Sequence, residues 1–375
     1  MKLKNYRVDK WLIVCVLLFF LISVLTIGSA QILIGVNDLM KRQIIWYFVG
    51  FALIFLIMKI KNEFLIKYTW VLYIVGVLLL GSLLIFGSEV NGAKCWFSVP
   101  GIGTFQPSEF MKIILIVTLA NMINKFNSDF PNPTCFDEFK FIFKVLVVVM
   151  IPSVLTFLQP DTGVVLIYLL ITFVMLFISG IRYRWFVLAI SVLALAIGSV
   201  VFIYFYSQDM FINIFGTSFF LRVDRLLDWS NSSGYQLENG LSAIGAGGLF
   251  GYGLNNTPIY FPEPQTDFIF AVYASNFGFI GSIVLVGLIG FFDIKLISLA
   301  IRTSNNINKY IIGGIIGMLI YQQVQNIGMT IGLLPITGIT LPFISYGGSS
   351  LLSYMLMLGF IFNISNETLL EEKKK

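Results

Sequence analysis

The sequence predicts an all-α polytopic membrane protein of about ten transmembrane helices, with both termini cytoplasmic and one large extracellular loop before the eighth helix. Three observations predict it. Hydrophobic residues make up 58% of the chain and charged residues only 11%, whereas about a quarter of a soluble domain is charged. Apolar runs of roughly 17 to 25 residues, the length that crosses a bilayer, recur along a chain whose mean hydropathy is +0.90. Basic residues collect in alternate loops, as expected when Lys and Arg are retained on the cytoplasmic side.

The first helix begins near residue 11, behind Lys2, Lys4, Arg7 and Lys10. A secretory signal has the same polarity, but this apolar run is too long and further spans follow it. The other helices are expected to begin near residues 43, 68, 108, 144, 162, 185, 267, 310 and 346. An even number returns the chain to its starting side. With the amino terminus inside, eighteen Lys and Arg fall in cytoplasmic segments; Lys41, Arg42, Lys94, Arg222 and Arg225 fall outside, and Lys112 lies within a span. That bias sets the orientation. Residues 1–375 read as a single membrane domain. Within it, 207–266 form the large extracellular loop, too long for a plain connection and therefore expected to be functional. Its Gly245, Gly247, Gly248, Gly251 and Gly253 do not make a nucleotide loop, because no strand precedes them and the Walker lysine is missing. Close backbone approach in a re-entrant or membrane-edge helix is the better reading. On the inner side, the loop from Lys125 to Lys144, with Phe136, Phe139, Phe141 and Phe143 among charges, reads as an interfacial segment.

The chain contains no histidine, which excludes histidine triads and proton shuttles and removes the usual zinc ligands. Cys15, Cys95 and Cys135 lie in different environments and are expected to be free thiols. The polar residues of interest gather at the external ends of helices. Asp267, in Glu263-Pro264-Gln265-Thr266-Asp267, should sit where a span begins. Acids between water and lipid often mark function, although helix capping by Thr266 and a favourable dipole for Asp267 would place the same residues there. Gln106-Pro107-Ser108-Glu109 opens another helix, with Pro107 in its first turn and Lys112 three residues beyond Glu109 on the same face. A structural ion pair and a functional one are both open. Asp161 follows Gln159-Pro160 at a third junction, as a cap or as a reactive acid. Trp96 is a belt aromatic or a ligand contact. Arg222 and Arg225 could hold an anion. The segment Leu341-Pro342-Phe343-Ile344-Ser345-Tyr346-Gly347-Gly348-Ser349-Ser350 is assigned shape rather than chemistry.

Asn91-Gly92-Ala93 with Trp96, Gln106-Pro107-Ser108-Glu109, Gln159-Pro160-Asp161-Thr162-Gly163, Pro262-Glu263 with Thr266-Asp267-Phe268, and the 341–350 segment together resemble the SEDS family (shape, elongation, division and sporulation) over nearly the whole chain. Members include RodA, FtsW and SpoVE, and the 328–338 run is most similar to RodA. The resemblance implies ten helices in the bacterial cytoplasmic membrane and polymerisation of the lipid-linked precursor lipid II into peptidoglycan strands. It also implies a class B penicillin-binding protein as transpeptidase partner. On it, Asp267 is the essential acid, Trp96 the loop tryptophan, and Gln106, Glu109 and Lys112 the fourth-helix motif. Gln265 stands where many members have histidine.

Joining a sugar hydroxyl to a donor sugar on a diphosphate needs a base and a way to meet the departing charge. The resemblance implies an alpha donor linkage and a beta product, hence one inverting displacement, for which one carboxylate suffices as base by analogy with inverting glycosidases. Asp267 is the candidate, with Glu263 in reserve. Substrate contacts are expected from Trp96, Gln106, Glu109, Lys112, Asp161, Arg222, Arg225 and Glu263. No cofactor is assigned by the sequence, and a divalent cation on external carboxylates such as Glu263 is a candidate. Two alternatives stand beside this enzyme. One is a lipid II flippase, for which ionisable groups near the bilayer midplane are the expected sign; the other is a non-catalytic scaffold for the transpeptidase.

Overall fold

The computed structural model describes residues 6–90, 93–99, 103–217, 219–220, 223 and 234–374. Its described helices are α1 (Lys10–Leu33), α2 (Leu39–Ile60), α3 (Asn62–Lys67), α4 (Thr69–Phe86), α5 (Pro107–Asp129), α6 (Cys135–Leu158), α7 (Thr162–Ile178), α8 (Tyr183–Tyr206), α9 (Gln208–Phe215), α10 (Tyr235–Ala246), α11 (Ile269–Arg302), α12 (Asn306–Thr330) and α13 (Gly348–Glu372). Long helices begin within four residues of nine of the ten expected starts, and the tenth, α6, begins nine residues before its own. Seven of them, α1, α2, α4, α6, α8, α11 and α13, are long and apolar enough to cross a membrane. Of the remaining long helices, α7 is apolar but only 17 residues long. The other two, α5 and α12, are 23 and 25 residues long and carry buried polar side chains, including Lys112 and Gln322. The chain is a multi-pass membrane protein.

Local chemistry sets the helix ends. Asp9 caps α1 by accepting from Trp11 N (2.9 Å), and Pro107 occupies the first turn of α5, where its missing N–H costs nothing. A reciprocal capping box between Thr134 and Asp137 starts α6 at Cys135. This corrects the expected inner loop: 135–144 is helix, and the connection from α5 shrinks to five residues, 130–134. Phe136, Phe139 and Phe143 remain exposed, while Phe141 turns inward and stacks on Phe126 with centroids 4.2 Å apart.

Packing is organised by α12, which lies against α5, α7 and α11, and by the pairing of α2 with α13. Between α4 and α5 the chain forms a small antiparallel sheet absent from the sequence reading, β1 (Ser88–Val90), β2 (Ala93–Val99) and β3 (Gly103–Phe105). α8 buries only Phe186 and Tyr204; an apolar helix so little covered presents most of its circumference to lipid.

Two glycines of the large loop, Gly247 and Gly251, have the role their spacing suggested, close backbone approach, whereas a Cβ at Gly245 or Gly248 would meet nothing within 4 Å. α11 is broken at Gly278, whose φ of 65° and ψ of −164° are not helical. Residues 248–253 fill the break. Tyr252 N donates to Ser275 O (3.0 Å), Gly253 N to Asn276 O (2.9 Å), Phe279 N to Gly248 O (2.9 Å) and Ile280 N to Leu249 O (3.1 Å). The loop backbone thereby satisfies groups that the break would leave unpaired.

Candidate active site

A cavity of about 600 Å³ lies where the external ends of α2, α5, α7, α11 and α13 meet the sheet. It brings together Trp96, Gln106, Glu109, Asp161, Glu263 and Asp267. Residues from four separate segments therefore converge on one space at the end assigned to the outer face.

Polar contacts fix each segment. β2 presents Trp96 while its neighbour Cys95 is buried and donates to Gln159 O (2.9 Å). Gln106 joins three elements: its N–H donates to Ser349 Oγ (2.9 Å) and its side-chain amide to Asp161 Oδ2 (2.9 Å). Asp161 also caps α7, with Oδ1 accepting from Val164 N (3.2 Å). Burial and the nearby Glu109 outweigh these bonds and push its carboxyl up to about 6. Glu109 accepts from Lys112 Nζ at 2.7 Å, and Lys112 is fully buried, with its ammonium 5.3 Å from the Tyr354 ring centre. The ion pair expected from the three-residue spacing is formed. Lys112 itself stands behind the cavity wall, reaching it only through Glu109.

The loop carrying Asp267 is held from below. Asn326 is buried on α12, and its side-chain amide donates both to Asp267 O and to Ile339 O, each at 2.8 Å. Ser345 Oγ donates to Thr266 O (2.7 Å) and Tyr346 N to Gln265 O (2.8 Å), so the 341–350 segment does supply shape. The capping alternative for Thr266 does not hold: its hydroxyl donates to Glu263 Oε2 (2.9 Å), and α11 begins at Ile269 with no side-chain cap. Glu263 also accepts from Gln265 Nε2 (3.0 Å) and adopts a φ of 52°, a left-handed conformation that costs a non-glycine residue of order 1 kcal/mol.

The Asp267 carboxylate meets no hydrogen-bond donor among the described residues. Facing it is Gly338, where an added Cβ would stand 3.6 Å from Oδ2. Burial, followed by the charge of Glu263, pushes its pKa up to about 7. Such a carboxyl is half ionised near neutrality and retains an unsatisfied acceptor, the condition of a poised base.

Five further charged residues bear on the site. Arg222 and Arg225 lie outside the described residues. Lys94 turns away, its ammonium donating to Leu84 O (3.1 Å) at the end of α4. Arg42, treated in the sequence only as an external charge, lines the cavity together with Trp46; its position at the outer start of α2 was the available signal. Asp293 was also overlooked. It is buried within α11 and accepts from Gln323 Nε2 (3.3 Å) on α12, so the ionisable groups are not confined to the outer ends. Among the described residues, no group of three or more Cys, Asp or Glu side chains is arranged to hold a metal. Cys15, Cys95 and Cys135 are free.

Comparison with known proteins agrees with this architecture. The model of a family described as "Cell cycle protein" (FtsW, RodA and SpoVE) matches residues 9–369. The chain is 34% identical over 380 residues to the "Probable peptidoglycan glycosyltransferase FtsW" of Coxiella burnetii, covering 97% of this chain and 98% of that protein. It is 32% identical to the "Stage V sporulation protein E" of Bacillus subtilis, covering 87% and 86%. Among solved structures, a chain from a peptidoglycan synthase complex superposes with a TM-score of 0.80 at 28% identity, covering 96% and 98%. The rod shape determining protein RodA of Thermus thermophilus superposes with a TM-score of 0.70 at 28% identity, covering 96% and 97%. With helices, cavity and sequence in agreement along almost its entire length, the chain belongs to the FtsW/RodA/SpoVE family of cell cycle proteins.

Proposed function

We propose that the chain is a peptidoglycan glycosyltransferase that polymerises lipid II on the outer face of the bacterial cytoplasmic membrane, with Asp267 as general base. The observation that carries this reading is the Asp267 carboxylate: it lines the cavity and has no donor among the described residues, and burial pushes its pKa up to about 7. In the reaction, Asp267 takes the proton of the acceptor hydroxyl as its oxygen bonds to the anomeric carbon of the donor sugar. The bond from that carbon to the diphosphate breaks on the opposite face, inverting the configuration. The diphosphate leaves with its own charge and needs a cation rather than an acid. Arg42 is a fit, since it lines the same cavity and is exposed.

Glu109, Asp161 and Gln106 orient the sugars by hydrogen bonding, and Trp96 offers a ring face at the rim. Lys112 offsets the Glu109 charge, which limits the negative potential that an anionic substrate meets. A class B penicillin-binding protein is the partner that would crosslink the strands, and a peptidoglycan synthase complex among the structural neighbours supports it. The experiment is polymer formation from purified lipid II by the full chain, alone and with its transpeptidase. Failure under both conditions, with folded protein, would leave the flippase and the scaffold.

One observation favours transport as the second reading: Asp293 is an acid buried within a spanning helix, where ionisable groups commonly mark ion or substrate paths. Asp293→Asn keeps an acceptor for Gln323. Polymerisation that survives this change while lipid II translocation in vesicles is lost would favour transport.

A further inference from the structure

At the inner ends of α1, α2 and α13 lies a second, apolar space of about 960 Å³, open toward lipid. Ile13 and Leu17 of α1, Phe51 and Phe55 of α2, and Phe362 of α13 line it, and Arg7 and Lys10 stand exposed at its rim. From Lys10 to Leu17 the wall rises about 10 Å along the helix, the depth of the upper half of an acyl chain.

The two cations are held in place by their backbone. Tyr6 OH donates to Met58 O (2.8 Å) and contacts Asn363; Arg7 N donates to Asn366 Oδ1 (2.9 Å) and Asp9 N to Ser365 Oγ (3.1 Å). These bonds fasten residues 6–9 to α13 and the end of α2. Of the acids near the trough, Asp9 accepts from Trp11 N, and Glu367, whose charge reaches Tyr6, accepts from Asn308 Nδ2 (2.9 Å). Two other inner cations are paired, Arg302 with Glu372 at 2.7 Å and Arg182 with Glu138 at 3.7 Å. Arg7 and Lys10 have no carboxylate partner among the described residues. Two unneutralised cations fixed at the mouth of an apolar trough present the complement of an anionic amphiphile.

We propose that this trough is a binding site for one anionic phospholipid of the inner leaflet, with its headgroup on Arg7 and Lys10 and an acyl chain against Leu17, Phe51 and Phe55. A zwitterionic lipid fills the trough equally well but leaves the second cation unmet. The bound lipid would brace the inner ends of α2 and α13, the helices that carry Arg42 and Ser349 to the cavity.

The test is native mass spectrometry of the full chain released from detergent with phosphatidylglycerol or phosphatidylcholine of matched chains. Wild type is expected to retain one phosphatidylglycerol in preference to phosphatidylcholine. Arg7→Ala with Lys10→Ala should weaken that retention roughly 30-fold, from two headgroup contacts. Lys140→Ala with Lys144→Ala, an equal charge change on α6 away from the trough, should leave it unaltered. Leu17→Trp, which fills the trough without altering charge, should also abolish retention. Equal retention of the two lipids, an equal loss in the α6 pair, or undiminished binding by Leu17→Trp would each overturn the proposal, the last two by reducing it to general attraction to a basic surface.

Discussion

Replacing Glu263 with Gln isolates the electrostatic part of the Asp267 environment. The Asp267 carboxyl is raised from its ordinary value near 3.8 to about 7, by burial first and by the Glu263 charge second. Glu263 is the second of the two causes, so its removal lowers the carboxyl without returning it to its ordinary value. Gln keeps a carbonyl oxygen for the bonds from Gln265 and Thr266, so the loop should survive. A base must be ionised, so activity is present above its pKa and lost as pH falls through it. Glu263→Gln therefore moves the acid limb of the rate profile downward. For a shift of about one pH unit, the ionised fraction at pH 6 rises from roughly a tenth to a half, a rate gain of about 5-fold, with no change above pH 8. The assay is initial polymerisation rate from lipid II at pH 5.5 to 8.5, at saturating substrate. An unmoved limb would refute the coupling. Loss of activity at every pH would transfer the role of base to Glu263.

Three further outcomes are expected. Arg42→Ala should lower kcat by about 10² to 10³, the usual cost of one contact to developing negative charge, with thermal stability unchanged; rates within a few fold of wild type would remove Arg42 from the leaving-group site. Lys112→Met should destabilise the chain by about 3 to 5 kcal/mol, because Glu109 is left buried and unpaired; adding Glu109→Gln should recover most of this in thermal unfolding in detergent, and no recovery would contradict the pair. Gly251→Ala would place a Cβ 2.2 Å from Asn276 O at a φ of 78°, so Tm should fall markedly by more than the strain alone, whereas Gly245→Ala, with nothing within 4 Å, should be nearly neutral.

Helices were legible in the sequence because lipid demands long apolar runs. The start of α6 was misplaced by nine residues because its first turns mix charges with exposed phenylalanines, and the capping box at Thr134 was the signal passed over. The sheet at 88–105 was invisible to a reading tuned to spans, since its strands are as short as three residues. For the site, acids at helix starts were visible as motifs, and the Glu109–Lys112 pair followed from spacing alone. The support beneath them was not. Asn326 reaches Asp267 from 59 residues away, and Ser345 reaches Thr266 from 79, distances at which sequence patterns carry no contact information. Asp293 was missed because a single acid near the inner end of an apolar run looks like its boundary. The break in α11, which carries the helix past that acid to Arg302, becomes evident only with the loop docked into it.

The most direct test of the account is glycan polymerisation from purified lipid II by wild type and by Asp267→Asn, with matched thermal unfolding and with the transpeptidase present. Asn preserves the size of the side chain and removes only its capacity to accept a proton. The account predicts polymer from wild type and a loss of at least about 10² in rate from the variant, at the lower end of what a general base contributes. Polymerisation by Asp267→Asn at near wild-type rate would contradict it.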